Sequence, residues 1–541
     1  MATVASREHR FPYRRLAAIA LILFVATLIA CNQDGQNGDT QAEGIERLYN
    51  AEAVVPPQCY TRTEGRFNAC YTCHQTYPFE SRPNVMNDGD LQAEYSFSDT
   101  ALTNHWRNLF VDRSAAIAET PDAEILAYVE EDNYSDLPAR LRERGWGGYI
   151  PDIENLHLGP EAFDAAGFAK DGSGWVAFNY KPLPSTFWPT NGSTDDVMIR
   201  LPEAFRTDIG GQPSRPVYQA NLAILEAAIK SLDRIETVPL DEAVLGVDLN
   251  GDNAWTVVTE IERPAYYVGA AETVSVAEML YPEGTEFIHT VRYVGVDDTG
   301  EIHVPRRMKE LRYMYKLRFM PPELLESVYD REHQEKLEGL LPTYVNLGDR
   351  GMDNGFGWLV LGFIEDMQGE LRPQTHEEQL FCMGCHTTIG STIDQTFSFA
   401  RKITGPAGWG YIDLRGMQDA PNIGEIDGEI LTYLKRVGGG SEFRENEEMR
   451  ERWFNEDGSV DEAAVAAADV YTLITPSRER ALALNKAYRV IVREQSYIYG
   501  RDATITPAVN VYDVVDPETA PTLPPEYQYA WDIRLDWSAP N

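Results

Sequence analysis

Two five-residue units in this chain pair thiols three positions apart with a histidine directly after the second: Cys70-Tyr71-Thr72-Cys73-His74 and Cys382-Met383-Gly384-Cys385-His386. Thiols at that spacing can each add across one vinyl group of a haem, and the adjacent imidazole then lies under the iron as its proximal ligand. Random placement of the 6 Cys and 9 His in 541 residues gives about 0.001 such units, so two of them call for a chemical explanation. A zinc ribbon would close one tetrahedral site with four cysteines and has no use for either histidine. A thioredoxin-like redox pair needs a single C-x-x-C, and simple disulfides also leave the histidines unexplained. The expected cofactors are therefore two covalently bound haem c groups, held by Cys70, Cys73 and His74 and by Cys382, Cys385 and His386.

Each iron has a second axial position, and whether it is filled separates a carrier from a catalyst. The favoured distal ligands are His105 in TNHWRNLF and Met417 in YIDLRGMQDAPN, each 31 residues after its proximal histidine. Met86 is a local alternative, and His289, His303 and His376 are long-range ones. Cys59, 11 positions before the first motif, is open to three readings: a thiolate ligand, a redox-active thiol or a small buried hydrophobe. The last is preferred.

Asp248, Asn250 and Asp252 alternate through a glycine-containing turn in the manner of the start of a calcium loop, since Ca²⁺ takes several hard oxygens. Position 12 of that loop is Thr259, with Glu260 one place late, and an Asx-rich turn between two strands would look similar. Calcium is a possible further ligand.

Residues 1–15 carry four arginines, and residues 16–30 are an uncharged apolar run too short to span a bilayer. They end in Leu28-Ile29-Ala30-Cys31, which resembles the lipobox of bacterial lipoproteins. That resemblance implies cleavage after residue 30 and lipidation of Cys31, followed by a flexible tether over 31–50. Asn32 after the lipidated cysteine points to the outer membrane under the enterobacterial sorting rule. With the export signal and both haem motifs in view, the chain resembles the c-type cytochromes, specifically a dihaem cytochrome c lipoprotein. The likeness rests on the lipobox and two pentapeptides. It implies export, a membrane anchor through lipid, and redox partner proteins at the periplasmic face of the outer membrane or at the cell surface.

A chain of 541 residues with 43% hydrophobic content can bury a large core, and a formal charge of -38 argues against nucleic-acid binding. The periodicity predicts an α+β body, mainly helical with short β segments, in which a β-containing segment over 241–305 lies between a first haem region (51–240) and a second (306–541). Helices are expected over 121–145, 216–236, 306–340 and 476–496. Strands are expected in AWTVVTEIERPAYYVGA and EFIHTVRYVGVDDTGEIHV, the latter with a hairpin turn at Asp297-Asp298-Thr299-Gly300. The locally basic run PRRMKELRYMYKLR reads as a solvated helix face, with a haem-propionate or acidic-partner contact as the other reading. Two carriers in tandem need less than half of this length. The expected function is electron transfer in the periplasm or at the outer membrane. The alternative is a dihaem oxidoreductase of peroxidase or oxygenase type acting on peroxide, dioxygen or an organic substrate, and a third reading is a structural lipoprotein. Whether the chain is an enzyme stays open at this level.

Overall fold

The computed structural model describes residues 54–539 apart from 78–81, 85, 93, 185, 186, 342, 388 and 445. The signal peptide, Cys31 and the tether lie outside the described residues. An antiparallel sheet of eight strands forms the centre: β1 (Val176–Ala177), β2 (Thr194–Arg200), β3 (Glu286–Arg292), β4 (Met308–Lys316), β5 (Val345–Asn346), β6 (Met352–Asp353), β7 (Trp358–Glu365) and β8 (Leu371–Pro373). Their order is β1-β2-β3-β4-β7-β6-β5, with β8 also paired to β7.

The pleat sorts the side chains into two cores. On one face of the sheet the register aligns Val197, His289, Arg312 and Gly362 across β2, β3, β4 and β7. Val197, Ile199, Phe287, Met314 and Val360 of this face join the largest apolar cluster, which also holds Cys382 and Tyr71. The opposite face contributes Met198, Ile288, Leu311, Tyr313, Leu361 and Phe363 to a second cluster.

Among the described residues helix content is 33% and strand content 17%, so the body is α+β as expected but the sheet, not a helical framework, organises it. The stretch 306–340, expected as one helix, divides into strand β4 and helix α2 (Pro322–Leu337), α1 being Arg215–Ile229. In β4 the apolar residues Leu311, Tyr313 and Tyr315 fall at period two, and pairing on both edges overrides the helical propensity of the Lys, Glu and Arg between them. The basic run is therefore not a solvated helix face. Lys309, Arg312 and Lys316 are interior or nearly so, and Lys316 reaches Asp394 at 2.5 Å. The expected helix over 121–145 is two short ones, Asp122–Val129 and Leu137–Glu143. That over 216–236 is α1 followed by a strand from Arg234. The hairpin at 297–300 forms between Gly295–Val296 and Ile302–His303.

Three more helices follow in the chain: α3 (His376–Met383), α4 (Glu429–Val437) and α5 (Arg478–Glu494). The described residues form one compact unit, with β3, from the 241–305 segment, inside the main sheet. Among the described residues no helix is long and apolar enough to cross a membrane.

Candidate functional site

Both cysteine-histidine motifs fold as a single tight turn. In the first, Cys73 N donates to Cys70 O at 3.1 Å and His74 N to the same oxygen at 3.0 Å. In the second, Cys385 N and His386 N both donate to Cys382 O at 3.2 Å. Positions i, i+3 and i+4 of such a turn share one face, so each motif offers two thiols and an imidazole to the same side.

Helix α3 delivers the second motif. It starts at a capping box in which Thr375 Oγ1 accepts from Glu378 N and Glu378 Oε2 from Thr375 N, and Arg372 holds both Glu378 oxygens at 2.8 Å. The first motif is clasped by the C-terminal segment: Trp531 Nε1 donates to Tyr71 O at 2.7 Å, and Gln75 Oε1 accepts from Trp531 N at 2.8 Å. Helix α4 braces it from another side through Asn68 N, which donates to Arg436 O at 2.9 Å.

Although 309 residues separate Cys73 from Cys382, the loops that follow the two motifs touch. Ser391 N donates to Cys73 O at 3.2 Å. Asn84 Nδ2 donates to Gly390 O at 3.0 Å and to Thr392 O at 2.7 Å. Gly390 is required at this contact, because a Cβ there would stand 2.5 Å from Asp88 Oδ1 and 2.9 Å from Gln75 N.

The five described cysteines, Cys59 among them, form no disulfides. Burial pushes the Cys70 thiol up to about 11 and that of Cys385 to about 12, and it raises Cys73 further with help from Cys385 and Cys59. These three are protonated thiols at neutral pH. Cys59 is raised first by burial and then by Cys70 and Cys385, which places it beside both motifs.

The two histidines are anchored differently. His74 Nδ1 lies 2.9 Å from Asp88 Oδ2, whereas His386 Nδ1 lies 3.0 Å from the carbonyl oxygen of Gln395. Each contact leaves Nε2 as the nitrogen available to a ligand. Burial first, then Arg312 and His289, lower His386 to about 4, while the Gln395 carbonyl opposes them, so its imidazole is neutral at pH 7. The Gln395 carbonyl is aimed by a strained turn in which Asp394 and Gln395 have φ of 45° and 63°. Asp394 is pinned there by Lys316 and by Tyr281 N.

Around the second motif the sheet contributes a buried charged cluster. Glu310 is held by Arg312 at 3.0 Å and Arg501 at 2.7 Å, which lower its carboxyl to about 2 against the effect of burial. Burial raises the nearby Asp502 carboxyl to about 6. His289 Nε2 lies 3.2 Å from Asp195 Oδ2.

Of the long-range alternatives, His289 is thus the one shown near His386. His303 pairs with Glu130 at 2.9 Å, and His376 opens α3. His105 is half-buried, and its ring neighbour Trp106 packs on Phe381, the residue before Cys382, at 5.3 Å. Met417 is buried, with its carbonyl accepting from Val470 N at 2.8 Å. Met86 is buried with Tyr329, whose hydroxyl accepts from Gln395 Nε2 at 2.5 Å.

Ligand oxygens of Glu242, Asp248 and Asp252 lie within 4.8 Å of one another. Asn250 instead bonds to Asp252, with Nδ2 3.0 Å from Oδ2. Glu242, absent from the sequence reading of this loop, is buried and accepts from Leu249 N and Thr256 N.

A protein-family profile described as "-like lipoprotein" matches residues 44–471. An "Uncharacterized lipoprotein" of Aquifex aeolicus (strain VF5) is 31% identical over 551 aligned residues, covering 90% of this chain and 92% of the relative. No solved structure matches. The chain belongs to this lipoprotein family, and is an exported protein anchored to a membrane by lipid.

Proposed function

We propose that this lipoprotein is a dihaem c-type cytochrome that transfers electrons in the periplasm or at the outer membrane. The observation that carries the reading is the approach of two equivalent C-x-x-C-H motifs far apart in sequence, Cys73 O of the first accepting at 3.2 Å from the N–H of Ser391, in the loop that follows the second. A structural role for either motif alone would not require that they meet, whereas two redox groups in one carrier must be neighbours to share electrons.

The residues present fit the cofactor. Cys70, Cys73 and His74 would hold one haem, and Cys382, Cys385 and His386 the other, through reduced thiols and Nδ1-bonded imidazoles. Two buried polar atoms nearby also lack a hydrogen-bond partner among the described residues, Ser391 Oγ and Gln395 Oε1. When bound, each haem supplies a one-electron Fe(III)/Fe(II) couple. Arg312 and Arg501 supply positive charge beside the second motif, partly offset by Glu310 between them. His105 and Met417 remain the favoured distal ligands, and the net charge of -38 suits redox partners with a basic docking face. Glu242, Asp248 and Asp252 are the candidate calcium position.

The buried cluster of His289, Glu310, Arg312, Arg501 and Asp502 favours a second reading, a dihaem oxidoreductase, because proton-handling groups beside an open iron suit peroxide or dioxygen chemistry. Ligand binding separates the two. Carbon monoxide added to the reduced protein, and cyanide to the oxidised one, should leave the visible spectrum of the carrier unchanged, since both irons of a carrier would be six-coordinate. Rapid binding at one haem would refute the carrier and favour the oxidoreductase.

A further inference from the structure

The two proximal histidines differ in what their Nδ1 atoms meet, and we infer that Asp88 is a positioning residue that makes the first haem site the lower-potential one of the pair. The inference rests on the dihaem reading above. Asp88 lies 14 residues after His74 and is almost fully buried, its side chain 5% exposed against 23% for His74. Its orientation is fixed from three directions. Asp88 Oδ1 accepts from Gln75 N at 2.9 Å, Asp88 N donates to Gln75 O at 3.0 Å, and the backbone of Gly390 closes over Oδ1. The remaining oxygen, Oδ2, faces His74 Nδ1 at 2.9 Å.

A carboxylate accepting the Nδ1 proton draws it away from the ring, raises the basicity of Nε2 and so stabilises the more highly charged iron. A backbone carbonyl does the same more weakly because it carries no net charge. At the second motif the acceptor is the Gln395 carbonyl at 3.0 Å, and the Arg312 guanidinium that bears on His386 there opposes further positive charge. Both differences act in the same direction. The hydrogen-bond partner of the axial histidine is one of the protein's main means of tuning a haem potential. The two sites are therefore unequal through residues of this chain, whatever their distal ligands.

The test is Asp88→Asn, which keeps the shape and removes the charge, read by spectroelectrochemical titration together with haem content from intact mass. The expected result is two retained haems and an upward shift at the first site of about tenfold in the reduction equilibrium, about 59 mV for a one-electron couple, with a smaller shift at the second site. Two retained haems with unchanged potentials, or with equal shifts at both, would overturn the role of Asp88. Absence of haem from the wild-type protein would instead overturn the dihaem reading. Should Asp88→Asn fail to fold, paramagnetic NMR of the oxidised wild type gives the same answer: the ring protons of His74 should be displaced toward imidazolate character relative to His386, and coincident shifts would contradict it.

Discussion

Cys382→Ala combined with Cys385→Ala is expected to yield a protein carrying one covalent haem where the wild type carries two. Each motif has its own thiols, its own turn closed by a bond to the first cysteine's carbonyl, and its own anchored histidine. The changes remove two sulfur atoms but leave the Thr375–Glu378 capping box and the Arg372–Glu378 bridge that start α3. The first motif, clasped by Trp531 and α4, keeps everything it needs for attachment. His386 could still ligate a haem non-covalently, so the readout is the intact mass after denaturation. Two covalent haems in the variant would refute the assignment of Cys382 and Cys385.

Glu429→Gln is expected to destabilise the fold by about 3–5 kcal/mol at pH 7, with a cost that shrinks in acid. Glu429 opens α4, where the helix N-terminus favours its charge, and it is buried against Arg401 and, at 3.1 Å, Lys181. Glutamine would leave those two buried cations without their shared anion. Arg401 foremost, then Lys181, hold the Glu429 carboxyl at about 2 despite burial, below its ordinary value of 4.5. A depressed carboxyl contributes stability that is fully present above about pH 4.5 and lost as pH falls through about 2. At 1.36 kcal/mol per pH unit this contribution is about 3 kcal/mol. The difference in denaturation midpoint between wild type and variant should therefore narrow from pH 4.5 to pH 2. A gap independent of pH would show that the variant acts through packing alone. Because α4 also supports Asn68 beside the first motif, the variant should lose order there first.

The chemistry-bearing cysteines and histidines are legible in the sequence because haem attachment fixes their spacing within five residues. Their partners are not. Asp88 follows His74 by 14 positions in a segment without regular periodicity, and the acceptor at His386 is a main-chain carbonyl that has no residue-type signature. The contact between the motifs depends on Asn84, Gly390 and Ser391, loop residues whose types are ordinary and whose proximity is a product of the whole fold. Helix α5 and the 297–300 hairpin could be read directly, since one is long and periodic and the other is carried by a four-residue turn. Strand β4 could not, because its alternation of Leu311, Tyr313 and Tyr315 is threaded with good helix formers, and only burial on both faces between β3 and β7 decides its state. The same burial converts its cations from an apparent surface patch into interior ion pairs. Glu242 joins Asp248 and Asp252 because a short helix capped by Asp241 turns it inward, and no spacing rule reaches back from the loop to find it.

The central claim is that two haems sit side by side in one electron-carrying unit. It is tested most directly by the low-temperature EPR spectrum of the oxidised wild-type protein. Two low-spin ferric signals, broadened or split by mutual interaction because the motifs touch, are the result this account predicts. No ferric haem signal, or a dominant high-spin signal from an open iron, would contradict it.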